Sequence, residues 1–114
     1  LRMARFATGQ RGVICTDATY HGNSEMVGAL SRLGRAPSPN AWVRAIPFPE
    51  TYRPIAPGLS AEALCEAYLA ELAKAIASLQ ASGEGVAAII LCSILANEGR
   101  RRGDGARGRR PGHR

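Results

Sequence analysis

Short apolar runs and one long helical stripe make up the hydrophobic pattern of this chain. The apolar runs cover Val13–Thr16, Trp42–Ile46 and Val86–Cys92. Runs of this length between Gly and Pro predict strands. The last run is continuously apolar, which is typical of a strand buried on both faces in a parallel sheet.

The stretches around the first run predict two helices. Leu1–Phe6 has the pattern of the last turns of a helix, and Gly9 suits a left-handed C-terminal position. A second helix is expected from a cap at Asn23 or Ser24 to about Leu33. Both helices flank the first strand.

The most clearly patterned element is a long helix capped by Ser60 and ending near Ala81. Its apolar stripe repeats every fourth residue, at Leu64, Tyr68, Leu72 and Ile76. Lys74 lies off this stripe and is expected to be a solvated surface charge. The resulting strand–helix–strand–helix–strand order predicts an α/β fold.

Net charge divides the chain into two parts. The formal charge is +6, and seven arginines with one aspartate in residues 100–114 account for all of it. Residues 1–99 are therefore neutral overall and give no electrostatic reason to expect a nucleic-acid or membrane partner. The 100–114 segment holds no apolar residue larger than Ala, so it is expected to be a disordered Arg/Gly-rich tail.

Cysteine usage and hydropathy restrict the class of protein further. Cys15, Cys65 and Cys92 are an odd, widely spaced set without a CxxC motif, which favours buried reduced thiols in a cytoplasmic protein over a disulfide framework or metal site. The sequence contains neither a run of about 18 apolar residues nor a basic-then-apolar leader, so a membrane span and a signal peptide are not expected. The first residue is Leu, which suggests that the start of a longer protein is missing.

The junction after the first strand carries the candidate chemistry. Tyr20, His21 and Gly22 follow Val13–Thr16 closely, and ligands of open α/β sheets bind at the carboxyl ends of strands. An aromatic ring there can lie flat on a planar cofactor, and a glycine lets backbone and ligand approach closely. On spacing alone, a packing tyrosine and a hydrogen-bonded structural histidine are the commoner interpretations.

Several segments in the same order resemble the class III aminotransferases, which are pyridoxal-phosphate enzymes of fold type I. The segments are Arg2-Met3-Ala4-Arg5, Thr8-Gly9, Tyr20-His21-Gly22, Pro47-Phe48-Pro49-Glu50 with Tyr52-Arg53, and Val86-Ala87-Ala88-Ile89-Ile90. They extend over nearly all of residues 1–99. The resemblance implies that this part is an incomplete large domain, a partial three-layer α/β/α sandwich with a mostly parallel sheet.

The same resemblance implies a cofactor and a reaction. Pyridoxal 5′-phosphate would stack on Tyr20, with His21 as a local hydrogen-bonding group beside the ring and Gly22 allowing close approach. The intact enzyme would transfer an amino group between an amine or amino acid and a keto acid, as a homodimer with sites at the subunit interface.

Departures from the family pattern imply that the chain is a fragment, inactive alone. The phosphate-binding turn would lie before Leu1, and Cys92-Ser93 stands where members often have Glu-Pro. The Asp that pairs with the pyridine nitrogen and the Schiff-base Lys would lie downstream, where this chain has only its arginine tail. The tail would then be out-of-frame or otherwise unrelated sequence, and no residue of the chain is assigned a catalytic or metal-binding role.

Other interpretations stay open. Cys92-Ser93 leaves room for a non-transaminating member of the same fold, such as an aminomutase or a phospho-lyase. A different class is a small α/β module whose tail binds RNA or another polyanion by neutralising phosphates. A third possibility is that open, apolar sheet edges prevent the fragment from folding stably.

Overall fold

A computed structural model describes residues 1–31 and 38–92, and it confirms the predicted α/β order. The elements are α1 (Arg2–Thr8), β1 (Val13–Thr16), α2 (Glu25–Gly28), β2 (Val43–Ile46), α3 (Ala61–Ala81) and β3 (Ala88–Ile90). The predictions for the 100–114 tail and for Ser93 lie outside the described residues.

The three strands form one parallel sheet in the order β2-β1-β3. Val13 of β1 pairs with Val43 of β2 on one side and with Ala88 of β3 on the other. All three carboxyl ends therefore lie at the same edge, where the segments beginning at Asp17, Pro47 and Leu91 leave the sheet.

Both faces of the central strand are covered, which gives the layered arrangement predicted from the sequence. Val13 and Cys15 pack with Leu30 on one face, whereas Ile14 packs with Ala75 and Leu79 of α3 on the other. Every residue of β1 is buried because the strand has a neighbour on each side, α3 on one face and the segment after α2 on the other. This small α/β domain is thus held together around β1.

The first helix ends as the sequence predicts. Gly9 adopts the left-handed conformation, with φ 67°, and its N–H donates to the Arg5 carbonyl. The Arg5 guanidinium lies 4.4 Å from the centroid of the Trp42 ring, a cation–π contact that joins α1 to the segment before β2.

The long helix begins at the predicted cap, but its buried positions differ from the predicted stripe. The Ser60 hydroxyl accepts a hydrogen bond from the Ala63 N–H at 3.2 Å. Only Ala75 and Leu79 of α3 are buried, because only the C-terminal half of the helix lies against the sheet. The N-terminal half of the stripe lines a cavity instead.

Three local predictions are wrong. The last strand covers only Ala88–Ile90, and Ile89 is 45% exposed, because β3 is an edge strand in the described part of the sheet. The second helix begins after Ser24 as predicted but ends at Gly28, short of the predicted Leu33. The three cysteines form no disulfide, but only Cys15 is buried and Cys65 is exposed, because Cys65 lies in the half of α3 beyond the sheet.

Two backbones approach closely at the amino edge of the sheet. The Ala87 N–H donates to the Gly12 carbonyl at 2.7 Å, and a Cβ placed on Gly12 would lie 1.9 Å from the carbonyl oxygen of Gly85. Glycine is required at position 12 for this reason.

Across residues 1–31 and 38–92, helices fall short of the length and apolarity that a membrane crossing needs.

Candidate ligand site at the carboxyl edge of the sheet

A strained turn follows β1 and leads into the predicted site. The Asp17 N–H donates to the Ile46 carbonyl at 2.8 Å, which continues the pairing of β1 with β2 by one residue. Ala18 then adopts φ 56°, a left-handed conformation that costs about 1–2 kcal/mol for a residue with a Cβ. This reversal of the chain directs Thr19 into the protein and Tyr20 outward.

The Asp17 side chain joins the segments that follow two neighbouring strands. Asp17 is 8% exposed, and its Oδ1 accepts a hydrogen bond from the Phe48 N–H at 3.2 Å. A buried carboxylate is stabilised by such a donor, and the donor fixes its position. The turn after β1 is consequently held against the segment after β2.

Tyr20 lies at the edge that the sequence predicts, with 56% of its surface exposed. A half-exposed ring at this position leaves aromatic surface available to a planar group. Gly22 follows with φ 121°, a conformation that residues with a side chain rarely adopt, and an added Cβ would lie 3.3 Å from Val27 Cγ2. Position 22 therefore needs glycine to bring the chain into α2, whether or not a ligand approaches it.

His21 is half-buried and makes one side-chain hydrogen bond within the described residues. Its Nε2 lies 2.9 Å from Oγ1 of Thr19, which is only 3% exposed. The expectation of a locally hydrogen-bonded histidine agrees with this contact. The sequence pattern does not identify Thr19 as the partner of His21.

Tyr68 of α3 holds the segment after β2 from the other side. Its hydroxyl accepts hydrogen bonds from the N–H groups of Glu50 at 3.3 Å and Ile55 at 3.2 Å, and it donates to the Glu50 carbonyl at 3.2 Å. The stripe pattern identifies Tyr68 as apolar packing and misses this role. The signal that could have revealed it is the hydroxyl, because a tyrosine on an apolar helix face needs a polar partner.

An apolar cavity of about 680 Å³ lies between α3 and the segment after β2. Its walls include Phe48, Tyr52, Leu64, Tyr68, Leu72 and Leu91. Neither Tyr20 nor His21 lines it, so it is separate from the candidate site. The N-terminal half of the α3 stripe thus contributes to this cavity and not to the sheet-facing core.

The sole lysine of the chain takes part in a surface ion pair. Lys74 Nζ lies 2.6 Å from Glu71 Oε1 on the same helix, and the Lys74 side chain is 73% exposed. The structure confirms the expectation of a solvated charge at this position.

In the described part of the chain, His, Cys, Asp and Glu side chains form no group of three that could hold a metal ion.

Comparison with solved structures gives one informative similarity. The chain superposes on a phospholyase from Arthrobacter, determined in complex with phosphoethanolamine, with a TM-score of 0.70 and 34% sequence identity. The match covers 82% of this chain and 22% of the phospholyase chain, so the chain spans about a fifth of the length of that relative. No protein-family model matches the sequence. A search of curated proteins likewise finds no match.

The level of identity and the shared parallel sheet agree with the resemblance carried by the collinear segments of the sequence. The chain resembles a fragment of a pyridoxal-phosphate-dependent enzyme of the class III aminotransferase family.

Proposed function

We propose that this chain is part of the large domain of a pyridoxal-phosphate enzyme and that Tyr20 forms one wall of the cofactor site. The observation that carries the proposal is the position of Tyr20. Its ring is half-exposed at the carboxyl edge of a parallel sheet, directly after the central strand. Ligands of open α/β sheets bind at this edge.

The residues present fit the noncovalent part of such a site. The Tyr20 ring can cover one face of a pyridine ring, and the turn at Ala18 holds Tyr20 in place. His21 can donate or accept a hydrogen bond beside it. The cofactor, when bound, supplies an electron sink for carbanion chemistry, whereas the protein supplies orientation and electrostatics.

The covalent part of the site is not supplied by this chain. Lys74 is paired with Glu71 on the exposed side of α3, so it is not placed as a nucleophile for the cofactor. We assign no catalytic residue to the chain, and the amino-group chemistry belongs to the intact protein. Residues 1–99 form the cofactor-domain part of this proposal, in a cytoplasmic enzyme that assembles as a homodimer.

Two reactions are candidates for the intact protein. Transfer of an amino group between an amine or amino acid and a keto acid is implied by the family resemblance. Elimination from a phosphorylated amine is favoured by one observation, the 34% identity with a phospholyase that was solved with phosphoethanolamine. Both reactions act on an amine substrate.

A titration of the 114-residue chain with pyridoxal 5′-phosphate tests the proposal. Tyr20→Ala is expected to weaken binding about 2- to 10-fold, the equivalent of about 0.5–1.5 kcal/mol for an aromatic contact. Tyr20→Phe keeps the ring and is expected to bind like the unchanged chain. Tyr52→Ala is the matched control, because Tyr52 is an exposed tyrosine outside the candidate site.

Two results would count against the proposal. One is equal binding by Tyr20→Ala and the unchanged chain. The other is a borohydride-stable cofactor adduct that forms specifically at Lys74, which would place the cofactor on α3.

A further inference from the structure

We infer that Thr19 is a positioning residue that keeps the proton of neutral His21 on Nδ1, so that His21 offers an N–H donor to an oxygen atom of a ligand beside Tyr20. The position of the proton follows from contacts within this chain. The identity of the ligand rests on the proposed function.

The contact between Thr19 and His21 is compatible with two arrangements of hydrogen atoms. Oγ1 of Thr19 lies 2.9 Å from Nε2 of His21. A neutral imidazole carries one proton, so Nε2 either donates to the hydroxyl or accepts from it. The choice determines whether the other nitrogen, Nδ1, is an acceptor or a donor.

Burial of Thr19 decides between the two arrangements. Thr19 is 3% exposed, and within residues 1–31 and 38–92 its hydroxyl has no hydrogen-bond partner other than His21. If Nε2 donated, the Thr19 hydroxyl proton would be buried without an acceptor, at a cost of about 1–3 kcal/mol. The hydroxyl therefore donates to Nε2, and the ring proton lies on Nδ1.

Nδ1, the second ring nitrogen of His21, is available to bind a ligand. His21 is half-buried, and its Nδ1 neither pairs with another described residue nor belongs to the buried atoms that lack a partner. An N–H group at this position suits an oxygen acceptor, such as a phenolate, carboxylate or phosphate oxygen.

The turn around Thr19 keeps the donor in place before a ligand arrives. Ala18 is held in its left-handed conformation, and Asp17 is tied to Phe48, so Thr19 has little freedom to move. A donor whose orientation is set in advance costs a ligand less ordering free energy on binding. Thr19 would thus act on a ligand only through His21.

Nitrogen-15 NMR of the histidine rings in the full chain tests the inference, at about pH 9, where free imidazole is neutral. Two-bond couplings distinguish the protonated from the unprotonated ring nitrogen, and His113→Gln removes the second histidine signal. The unchanged chain and Thr19→Ser are expected to carry the proton on Nδ1. Thr19→Val removes the donor and is expected to move most of the population to the Nε2-protonated form.

The outcomes test the position of the His21 proton and the identity of the ligand separately. A proton on Nε2 in the unchanged chain overturns the inference, even if the valine variant does not fold. A folded Thr19→Val chain that keeps the proton on Nδ1 also overturns the inference. A proton on Nδ1 in a chain that does not bind pyridoxal 5′-phosphate supports the role of Thr19 but overturns the proposed function and the assignment of the ligand.

Discussion

The carboxylate of Asp17 accepts a hydrogen bond from the backbone N–H of Phe48 at 3.2 Å, across the gap between the ends of β1 and β2. This contact joins the turn that carries Tyr20 to the segment that Tyr68 holds on α3. The candidate site and the wall of the apolar cavity are therefore parts of one hydrogen-bonded unit.

Removing the Asp17 carboxylate should lower the free energy of unfolding. Hydrogen bonds to charged groups contribute about 1.5–3 kcal/mol, so Asp17→Ala is expected to lose an amount in that range. Asp17→Asn keeps a neutral acceptor oxygen and is expected to lose less. Urea unfolding curves compare the two variants. Equal stability of Asp17→Ala and the unchanged chain would show that the Asp17–Phe48 hydrogen bond does not stabilise the fold.

Replacing Ala18 by glycine should stabilise the chain. The left-handed conformation costs alanine about 1–2 kcal/mol, whereas glycine avoids this strain but loses about 0.5–1 kcal/mol in backbone entropy. We expect a net gain of about 0.5–1 kcal/mol in thermal or urea unfolding.

Ala29 supplies the control for this substitution. It has φ −63°, an ordinary right-handed conformation, so Ala29→Gly should destabilise the chain by about 0.5–1 kcal/mol. A loss of stability in Ala18→Gly would show that the turn is not strained.

The hydroxyl of Tyr68 should determine how readily the segment after β2 opens. Tyr68→Phe keeps the ring but removes three hydrogen bonds, those with the N–H groups of Glu50 and Ile55 and with the Glu50 carbonyl. We expect faster chymotrypsin cleavage after Tyr52 and a stability loss of about 1–3 kcal/mol.

Tyr20→Phe is the matched control for Tyr68→Phe, because it also removes a tyrosine hydroxyl but at an exposed position. Cleavage after Tyr52 at the same rate in both variants would mean that Tyr68 does not hold the segment.

A side chain at position 12 should disrupt the amino edge of the sheet. The Cβ of Gly12→Ala would lie 1.9 Å from the Gly85 carbonyl oxygen, which requires one backbone to move. We expect a loss of about 1–3 kcal/mol, the usual range for overpacking. Gly28→Ala is the control, because an added Cβ there meets nothing within 4 Å and alanine favours the helix. Equal stability of the two variants would contradict the close approach.

Local sequence chemistry determined the elements whose boundaries depend on neighbouring residues. Gly9 ends α1 in the predicted left-handed conformation, and Ser60 caps α3 through its own side chain. The run Val13–Thr16 is a fully buried strand. At Gly9 and Ser60 the deciding interaction lies within a few residues along the chain, so the sequence pattern is sufficient. The strand is predicted from its short apolar run, although its burial comes from distant neighbours. Tyr20 at the end of that strand was predicted from the same run.

Tertiary structure decided the features that depend on which elements become neighbours. The apolar run ending at Cys92 predicts a strand buried on both faces, yet among the described residues β3 lies at an edge of the sheet and Ile89 is half-exposed. Tyr68 belongs to the apolar stripe by spacing, but the fold places its hydroxyl against a segment 18 residues earlier. Burial and hydrogen-bond partners are properties of the packed chain, because they depend on which distant backbone groups share the space around a side chain.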